Sequence, residues 1–160
     1  MEINILVDSL FQKSISEKWL RSIVSHAVSN QSTKSYIQMS LVITGEEEVR
    51  KLNRDYRNID EPTDVLSFYM IPEVSEVSTS NTFFAQPPDG VSHLGEVIIS
   101  YPQAVKQAEE HQHPVKKEIA ILIAHGVLHL MGHDHNEPEQ EIKMKEEERN
   151  ILDSIREQLE

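Results

Sequence analysis

The sequence predicts a single-domain α+β fold, in which a mostly four-stranded mixed sheet packs with about five helices. Three observations support this class. The 160 residues are the size of one ordinary domain with its own hydrophobic core. Predicted elements follow the order strand, helix, strand, helix, strand, strand, helix, helix, helix. The predicted helix over residues 114–131 contains a segment, IAILIAHGVLHLM, that is apolar nearly all round, so we expect this helix to be buried at the centre.

The first half of the chain contains three predicted strands and two predicted helices. Residues 36–44 alternate apolar and polar side chains, the period of a half-buried strand, and Gly45 ends this strand. Ser14 and Glu17 fit a capping box that opens a helix extending to about Asn30. The other predicted elements are strands over residues 2–7 and 63–70, and a helix over residues 46–58 with Val49, Leu52 and Tyr56 on one face.

The second half begins with residues 71–92, which are rich in Ser, Thr and Pro and have no clean period, so they predict a surface loop or lid. Ser100, with Pro102 and Gln103, marks the start of a helix. The predicted elements here are a strand over residues 93–100 and helices over residues 100–111, 114–131 and 138–159, the last with Ile142, Ile151, Leu152, Ile155 and Leu159 as its apolar residues.

Composition excludes several classes of protein. No run approaches the roughly 18 apolar residues of a membrane span, and the acidic start lacks the features of a signal peptide, so we expect a cytoplasmic protein without membrane contact. The chain has no cysteine, so metal ligands must be His, Asp or Glu. A net charge of −12 argues against nucleic-acid binding by the whole surface. Any nucleic-acid enzyme here needs a local basic patch.

Residues 124–136, AHGVLHLMGHDHN, contain four of the eight histidines of the chain. His125 and His129 are one helical turn apart and share a face, so they can bind one metal ion. Two imidazoles in an otherwise buried helix are costly unless something coordinates them. The sequence therefore predicts a metal site at the end of the buried central helix.

The third ligand has two candidates, His133 and His135. Gly132 can end the helix through a left-handed residue and turn the chain back towards the pair. The spacing of His135 matches that of the three-histidine metalloprotease motif, which favours it over His133. Three nitrogen ligands leave a tetrahedral zinc ion with one open position, as in catalytic sites, and a water bound there would be acidified.

Three segments resemble the YbeY family of bacterial rRNA-maturation endoribonucleases. Residues 125–135, HGVLHLMGHDH, are similar to its signature H-G-x-L-H-L-x-G-Y-D-H. Residues 52–68, LNRDYRNIDEPTDVLSF, resemble L-N-x-x-Y-R-x-x-D-x-P-T-D-V-L-S-F, and residues 94–100, LGEVIIS, resemble L-G-D-I-x-I-S. The downstream pattern Glu141, Met144, Glu148, Ile151 and Leu152 also fits. The chain departs from the family pattern at His133, where the signature has tyrosine, at Glu96, where aspartate is usual, and in a longer 71–92 segment.

The resemblance implies one endoribonuclease domain over residues 1–160, which cleaves single-stranded RNA. It implies roles in maturation of the small-subunit rRNA 3′ end and in ribosome quality control, with the small ribosomal subunit and ribosome-assembly proteins as partners. The implied ligands are His125, His129 and His135, which hold one metal ion. From the ligand set we expect one Zn²⁺ ion, although three imidazoles also suit Ni, Cu or Co. The functional arginine of the family falls on Arg57.

Arg50, Arg54 and Arg57 form one basic stripe on the predicted helix 46–58. We expect Arg57 and His125 to be catalytic, and Arg54 and Arg57 to bind the RNA backbone, because a guanidinium can clamp a phosphate. An ordinary charged helix face is the competing interpretation, above all for Arg50. Two carboxylates, Asp64 and Glu96, are candidate proton acceptors, and Tyr56, Phe68 and Tyr69 could stack on bases; structural roles are the commoner alternative for all five.

Two other functions remain as alternatives. The histidine spacing and acidic charge favour a zinc metalloprotease, but such an enzyme carries its catalytic glutamate directly after the first histidine, where this chain has Gly126. A non-catalytic ribosome-assembly factor could use the metal only to fasten the helix end. Assays on casein and on RNA, and unfolding after metal removal, distinguish the three.

Overall fold

A four-stranded mixed sheet forms the centre of the computed structural model, which describes residues 1–31, 37–69, 92–133 and 136–159. The strand order is β1-β2-β4-β3; β1, β2 and β4 are parallel, while β3 is an antiparallel edge strand. The crossover between β1 and β2 contains a helix, as parallel pairing requires. The strands are β1 (Glu2–Val7), β2 (Ile37–Thr44), β3 (Val65–Tyr69) and β4 (Ser92–Ser100).

Five α-helices lie in the described part of the chain and confirm the predicted α+β class. These helices contact one sheet or one another, which shows a single domain. The predicted excursion over residues 71–92 falls outside the described residues, except for its last residue. The helices are α1 (Glu17–Gln31), α2 (Glu46–Arg57), α3 (Tyr101–Glu110), α4 (Val115–Leu130) and α5 (Pro138–Ser154), followed by a 3-10 helix over Arg156–Leu159.

The two faces of the sheet are covered by different helices. Alternate residues of a strand point to opposite faces. Leu66 and Ile98 lie on the face covered by α2, where they pack with Val49. On the other face, Val97 and Ile99 belong to the main core, which contains the buried residues of α1 and α4. Helix α4 contacts α1, α3, α5, β3 and β4, so the prediction of a buried central helix is confirmed.

The start of α1 differs from the predicted capping box. The helix begins at Glu17, and the Ser16 hydroxyl accepts a hydrogen bond from the Trp19 backbone N–H at 3.2 Å. Ser14 is instead part of a preceding turn, in which its N–H donates to the Phe11 carbonyl at 2.9 Å. Tertiary contacts decide the start, because this turn directs the next residue, Ile15, into the core.

The last helix is shorter than predicted and less apolar on one side. It ends at Ser154, whose hydroxyl donates to the Ile151 carbonyl at 2.6 Å in the final turn. Ile142, one of the apolar residues named for this helix, is 60% exposed, whereas Met144 is buried. The predicted start of α3 is confirmed, because the Ser100 hydroxyl accepts from the Gln103 N–H.

Gly126 brings α4 into close contact with the sheet. A Cβ added at this position would lie 2.7 Å from Cγ1 of Val97 and 3.3 Å from the Ser67 hydroxyl oxygen. That hydroxyl also donates a long hydrogen bond, 3.4 Å, to the Gly126 carbonyl. The sheet therefore occupies the space that any side chain at residue 126 would need.

We expect Gly126→Ala to destabilise the protein. Overpacking against Val97 costs about 1 to 3 kcal/mol, while the better helix propensity of alanine returns about 1 kcal/mol. The net loss should be about 1 kcal/mol in urea unfolding. In a Val97→Ala background the same substitution should cost less, because the clashing methyl groups are gone; equal costs in both backgrounds would contradict the close contact.

Candidate metal centre

A pocket of about 270 Å³ lies where α2, β3 and α4 converge. Its walls come from the last residue of α2, from the exposed edge strand and from the second half of α4. Because Val65, Ser67 and Tyr69 alternate along β3, they all point to the face of the sheet that α4 covers. The lining residues are Arg57, Asp64, Val65, Ser67, Tyr69, His125 and His129.

His125 and His129 face each other in this pocket. Their Nε2 atoms are 3.1 Å apart, and the rings meet edge to face with centroids 4.6 Å apart. Two imidazole nitrogens bound to one tetrahedral zinc ion would be roughly 3.3 Å apart, given bond lengths of about 2.0 to 2.1 Å. The described geometry of the pair therefore fits a shared metal ion without a change of backbone.

Glu148 orients the first of these histidines. Its Oε1 lies 2.8 Å from Nδ1 of His125 and comes from α5, which packs against α4. A carboxylate at this nitrogen holds the proton on Nδ1, so the lone pair of Nε2 points into the pocket. In the sequence Glu148 was only part of a family pattern; its contact depends on the packing of two helices.

The end of α4 has the geometry that the sequence predicts at Gly132. This glycine has a φ of +96°, and its N–H donates to the His129 carbonyl, while the His133 N–H donates to the Leu128 carbonyl at 2.9 Å. These two bonds form a Schellman motif. The chain reverses here, after which Asp134 and His135 fall outside the described residues.

The His133 side chain points away from the histidine pair. Its Nε2 lies 3.0 Å from Oε1 of Gln31 at the end of α1, and the Gln31 amide in turn donates to Glu147 at 2.6 Å. His133 lines a different pocket, together with Gln140 and Lys143. In this arrangement it ties the turn to α1 and α5, so His135 stays the predicted third ligand.

The three arginines of α2 have different surroundings. Arg50 is paired with Asp60 at 2.9 Å, and the hydrogen bond and charge of that carboxylate raise the pKa of Arg50. Arg54 lies 3.4 Å from Asp55 and is not part of the pocket wall. Within the described ranges Arg57 forms no salt bridge, and it is the arginine that lines the pocket. Its guanidinium is therefore placed to meet an anion.

Two of the three aromatic residues considered for base stacking, Tyr56 and Tyr69, are exposed, so the alternative of a structural role in the core does not apply to them. Tyr56 is 71% exposed and meets Phe68 edge to face, with ring centroids 5.5 Å apart. Tyr69 is 51% exposed at the end of β3, in the pocket wall. Phe68 is partly buried against the α2 cluster, as expected.

The two candidate proton acceptors, Asp64 and Glu96, lie on different sides of the sheet. Asp64 lines the pocket, but both of its carboxylate oxygens accept hydrogen bonds, Oδ1 from the Val65 N–H at 2.8 Å and Oδ2 from Gln107 at 3.2 Å. These bonds fix the turn that enters β3. Glu96 pairs with Phe68 across the sheet and shares its face, which is the one covered by α2. It lies on the other side of the sheet from the histidine pair.

A second group of ligand-type side chains, which the sequence analysis missed, lies between α3 and α4. His111, His113 and Glu118 each offer one ligand atom, and these atoms all lie within 4.8 Å of one another, so the cluster could hold a metal ion. The signal in the sequence is an H-x-H pair followed five residues later by a glutamate. The spacing alone does not predict a metal site, because the three side chains come together only through the turn between the two helices.

Comparison with known proteins decides the family. A family model described as endoribonuclease YbeY matches residues 5–156. The chain belongs to the endoribonuclease YbeY family. This confirms the resemblance of the three sequence segments, and with it the prediction of an RNA-cleaving hydrolase at the level of the family.

Two relatives illustrate the similarity. Endoribonuclease YbeY of Dehalococcoides mccartyi (strain CBDB1) is 49% identical over 160 residues, which cover all of this chain and 96% of the relative. The protein of the same name in Heliobacterium modesticaldum is 43% identical over 115 residues, 72% of this chain and 68% of the relative.

The fold also has a counterpart among solved structures. A solution structure of a Thermotoga maritima protein aligns with a TM-score of 0.59 at 23% identity, over 97% of this chain and 92% of the other. At that identity the likeness supports the fold alone. Among the described residues, no helix is long and apolar enough to cross a membrane.

The contact between Glu148 and His125 predicts a loss of metal affinity in Glu148→Gln. The amide no longer provides the negative charge that holds the ring proton on Nδ1, and such a partner is typically worth 10- to 100-fold in affinity. A competition titration of Zn²⁺ against a fluorescent chelator measures the change. Glu146→Gln, at an exposed position on α5, is the matched control. Equal losses in the two variants would remove Glu148 from the site.

Proposed function

We propose that this protein is a zinc-dependent endoribonuclease, selective for single-stranded RNA, that matures the 3′ end of small-subunit rRNA and takes part in ribosome quality control. One observation carries the enzymatic part of this proposal: the His125 and His129 pair and the Arg57 guanidinium line the same pocket. Cleavage of a phosphodiester needs both a metal-type donor set and a cation for the phosphate. This pocket contains candidates for both.

The metal ligands that we propose are His125, His129 and His135. The first two have nitrogens at a spacing that suits one zinc ion. The reversal of the chain at Gly132 supports a third ligand from the residues that follow. When bound, a zinc ion supplies a Lewis acid and an acidified water at neutral pH. Glu148 keeps the His125 ring in the tautomer that coordination needs.

Arg57 is the proposed phosphate-binding and charge-stabilising residue. It is the last residue of α2, where the left-handed Asn58 ends the helix and the side chain reaches the pocket rim. A guanidinium there can donate two hydrogen bonds to a phosphate and oppose the charge that develops during cleavage. We propose that Arg54, one turn earlier, contacts the RNA backbone outside the pocket.

Tyr69 supports the selectivity for single strands. An exposed ring in the wall of the reactive pocket can stack on an unpaired base, and such stacking is worth about 1 to 3 kcal/mol per base. Paired bases already stack on their own neighbours and cannot turn towards the ring. The pocket therefore favours a strand whose bases are free to leave their stack.

The close contact at Gly126 argues against a peptidase. Zinc peptidases of the same histidine spacing need a glutamate next to the first histidine. In this chain that position faces Val97 and Ser67 and has no room even for a Cβ.

The attacking oxygen in RNA cleavage can come from an activated water or from the neighbouring 2′-hydroxyl. Analysis of the product ends separates these routes, because 2′-hydroxyl attack leaves a 2′,3′-cyclic phosphate.

The ribosomal part of the proposal rests on family membership. The small ribosomal subunit and ribosome-assembly proteins are the proposed partners, and the cytoplasm, where rRNA matures in bacteria, is the proposed location. Incubation with immature small subunits and mapping of the rRNA 3′ ends tests this part. Unchanged 3′ ends, with cleavage of other single-stranded RNA intact, would restrict the proposal to the chemistry.

We expect cleavage of a labelled single-stranded RNA to disappear with His125→Ala, His129→Ala or a chelator, and to return when Zn²⁺ is added to the chelated parent protein. Arg57→Ala should lower the rate by about 10²- to 10³-fold, the usual effect of removing one electrostatic stabiliser. Arg50→Ala is the matched control, since Arg50 is held by Asp60 away from the pocket. Digestion of casein, or RNA cleavage that survives His125→Ala, would contradict the proposal.

The choice of third ligand has its own test. We expect His135→Ala to lose zinc and RNA cleavage together, because it removes a ligand. His133→Phe should keep zinc binding and lose only the stability from the bond to Gln31, about 0.5 to 1.5 kcal/mol. Metal content after gel filtration measures both variants. The opposite result would make His133 the ligand.

A further inference from the structure

The turn between α3 and α4 brings two imidazoles onto one buried carboxylate. The Glu118 side chain is only 4% exposed, and its Oε1 lies 2.6 Å from Nε2 of His113 and 3.0 Å from Nδ1 of His111. Two imidazole nitrogens thus lie next to one carboxylate oxygen, and the three ligand atoms are within 4.8 Å of one another. This is a two-histidine, one-carboxylate donor set, of the kind that zinc and related divalent cations take.

The backbone of the turn produces this convergence. His111 ends α3, with its N–H bonded to the Gln107 carbonyl. Gln112 then adopts a left-handed conformation with a φ of +55°, which is uncommon for a residue other than glycine. The His113 N–H returns to the Ala108 carbonyl, and Pro114 starts α4. The two histidines consequently lie on the same side of the turn, next to the first turn of α4.

Burial of the carboxylate makes its partners important. A buried charge is stable only when it is paired or coordinates a metal, so Glu118 depends on the two rings. As donors to one oxygen, both imidazoles must carry a proton on the nitrogen that faces it. A divalent cation can replace these protons, because metal ligands bind in their deprotonated forms.

We propose that His111, His113 and Glu118 bind one divalent transition cation, of which Zn²⁺ is the type case, at a site separate from the histidine pair of the pocket. Glu118 and His125 are seven residues apart on α4, which is about 10 Å along the helix axis. One ion cannot contact both clusters. The cation fastens the end of α3 to the beginning of α4, the helix that carries the pocket histidines.

Coordination requires only a small adjustment of the side chains. Ligand atoms around a tetrahedral zinc ion are roughly 3.3 Å apart, so the imidazole nitrogens must withdraw from Oε1 by less than about 1 Å. The ligand atoms now lie within 4.8 Å of one another, so the widest pair must approach by at most about 1.5 Å. The larger withdrawal, roughly 0.7 Å, falls to His113, whose side chain is 15% exposed, whereas the 56% exposed His111 needs roughly 0.3 Å and can move into solvent. That exposure also leaves a remaining coordination position open to water.

Metal stoichiometry of the untagged, full-length protein tests the proposal. We expect the parent to bind one equivalent more of Zn²⁺, or of Co²⁺ followed by visible absorption, than Glu118→Gln. Glutamine keeps the shape and an acceptor oxygen for the two rings, so folding should be retained. His111→Ala, at an exposed position, should lower the affinity of the same site at least tenfold. His26→Ala, whose ring contacts the Ser22 carbonyl on α1, is the matched control.

A His129→Ala background separates this site from the proposed catalytic ion. In that background, Zn²⁺ at 100 times its dissociation constant should raise the melting temperature by about 5 to 10 °C. The rise should be absent in His129→Ala with Glu118→Gln. Equal metal stoichiometry in the parent and in Glu118→Gln would overturn the proposal. So would an equal thermal shift in His129→Ala and in the double variant His129→Ala with Glu118→Gln. The cluster would then be two histidines hydrogen-bonded to a glutamate, without a metal ion. Either outcome is independent of whether the pocket cleaves RNA.

Discussion

The close packing of α4 on the sheet at Gly126 is the contact on which the rest of the structure depends. Val97 and Ser67 fill the space that a side chain would take, so the helix backbone lies close to the strands at this point. His125 directly precedes this contact, and therefore its ring lies beside β3. A larger residue would push the helix outwards and separate the histidine pair from the Tyr69 side of the pocket.

Carboxylate and imidazole pairs recur on the two sides of α4. Glu148 of α5 is hydrogen-bonded to the His125 ring. At the other end of α4, Glu118 is hydrogen-bonded to the rings of His113 and His111. In a low-dielectric interior such bonds are stronger than in water, and an unpaired carboxylate is costly. One buried and one partly buried glutamate thus orient the rings that can bind metal.

Because the protein as a whole is negatively charged, the binding of an anionic strand depends on local cations such as Arg57. Arg50 and Arg54 are paired with neighbouring carboxylates, so within the described ranges Arg57 is the member of the stripe left to meet an incoming anion. Its position depends on the left-handed Asn58, which ends α2 at the pocket rim. In the pocket of the histidine pair, Arg57 is the cationic side chain that can attract an RNA backbone despite the negative charge of the whole protein. That arrangement favours local recognition over general binding.

Local patterns in the sequence were enough to predict the strands, the buried helix, the helix end at Gly132 and the family. These features depend on periodicity and on residue chemistry, which neighbours in the chain determine. The exposure of Tyr56, the start of α1 and the three-residue cluster at Glu118 were not predicted. Each depends on which elements pack together, and contacts between distant residues leave no periodic signal.

In the candidate site, too, some features follow from the sequence alone and others only from the tertiary structure. Sequence alone determined that His125 and His129 share a helical face and that Gly126 leaves no adjacent carboxylate. Only the tertiary structure decided that Arg57 shares their pocket, that Glu148 orients the first ring and that the His133 ring turns to Gln31. The physical reason is that the spacing of residues on one helix is fixed by its pitch, whereas contacts between helices depend on how the whole core packs.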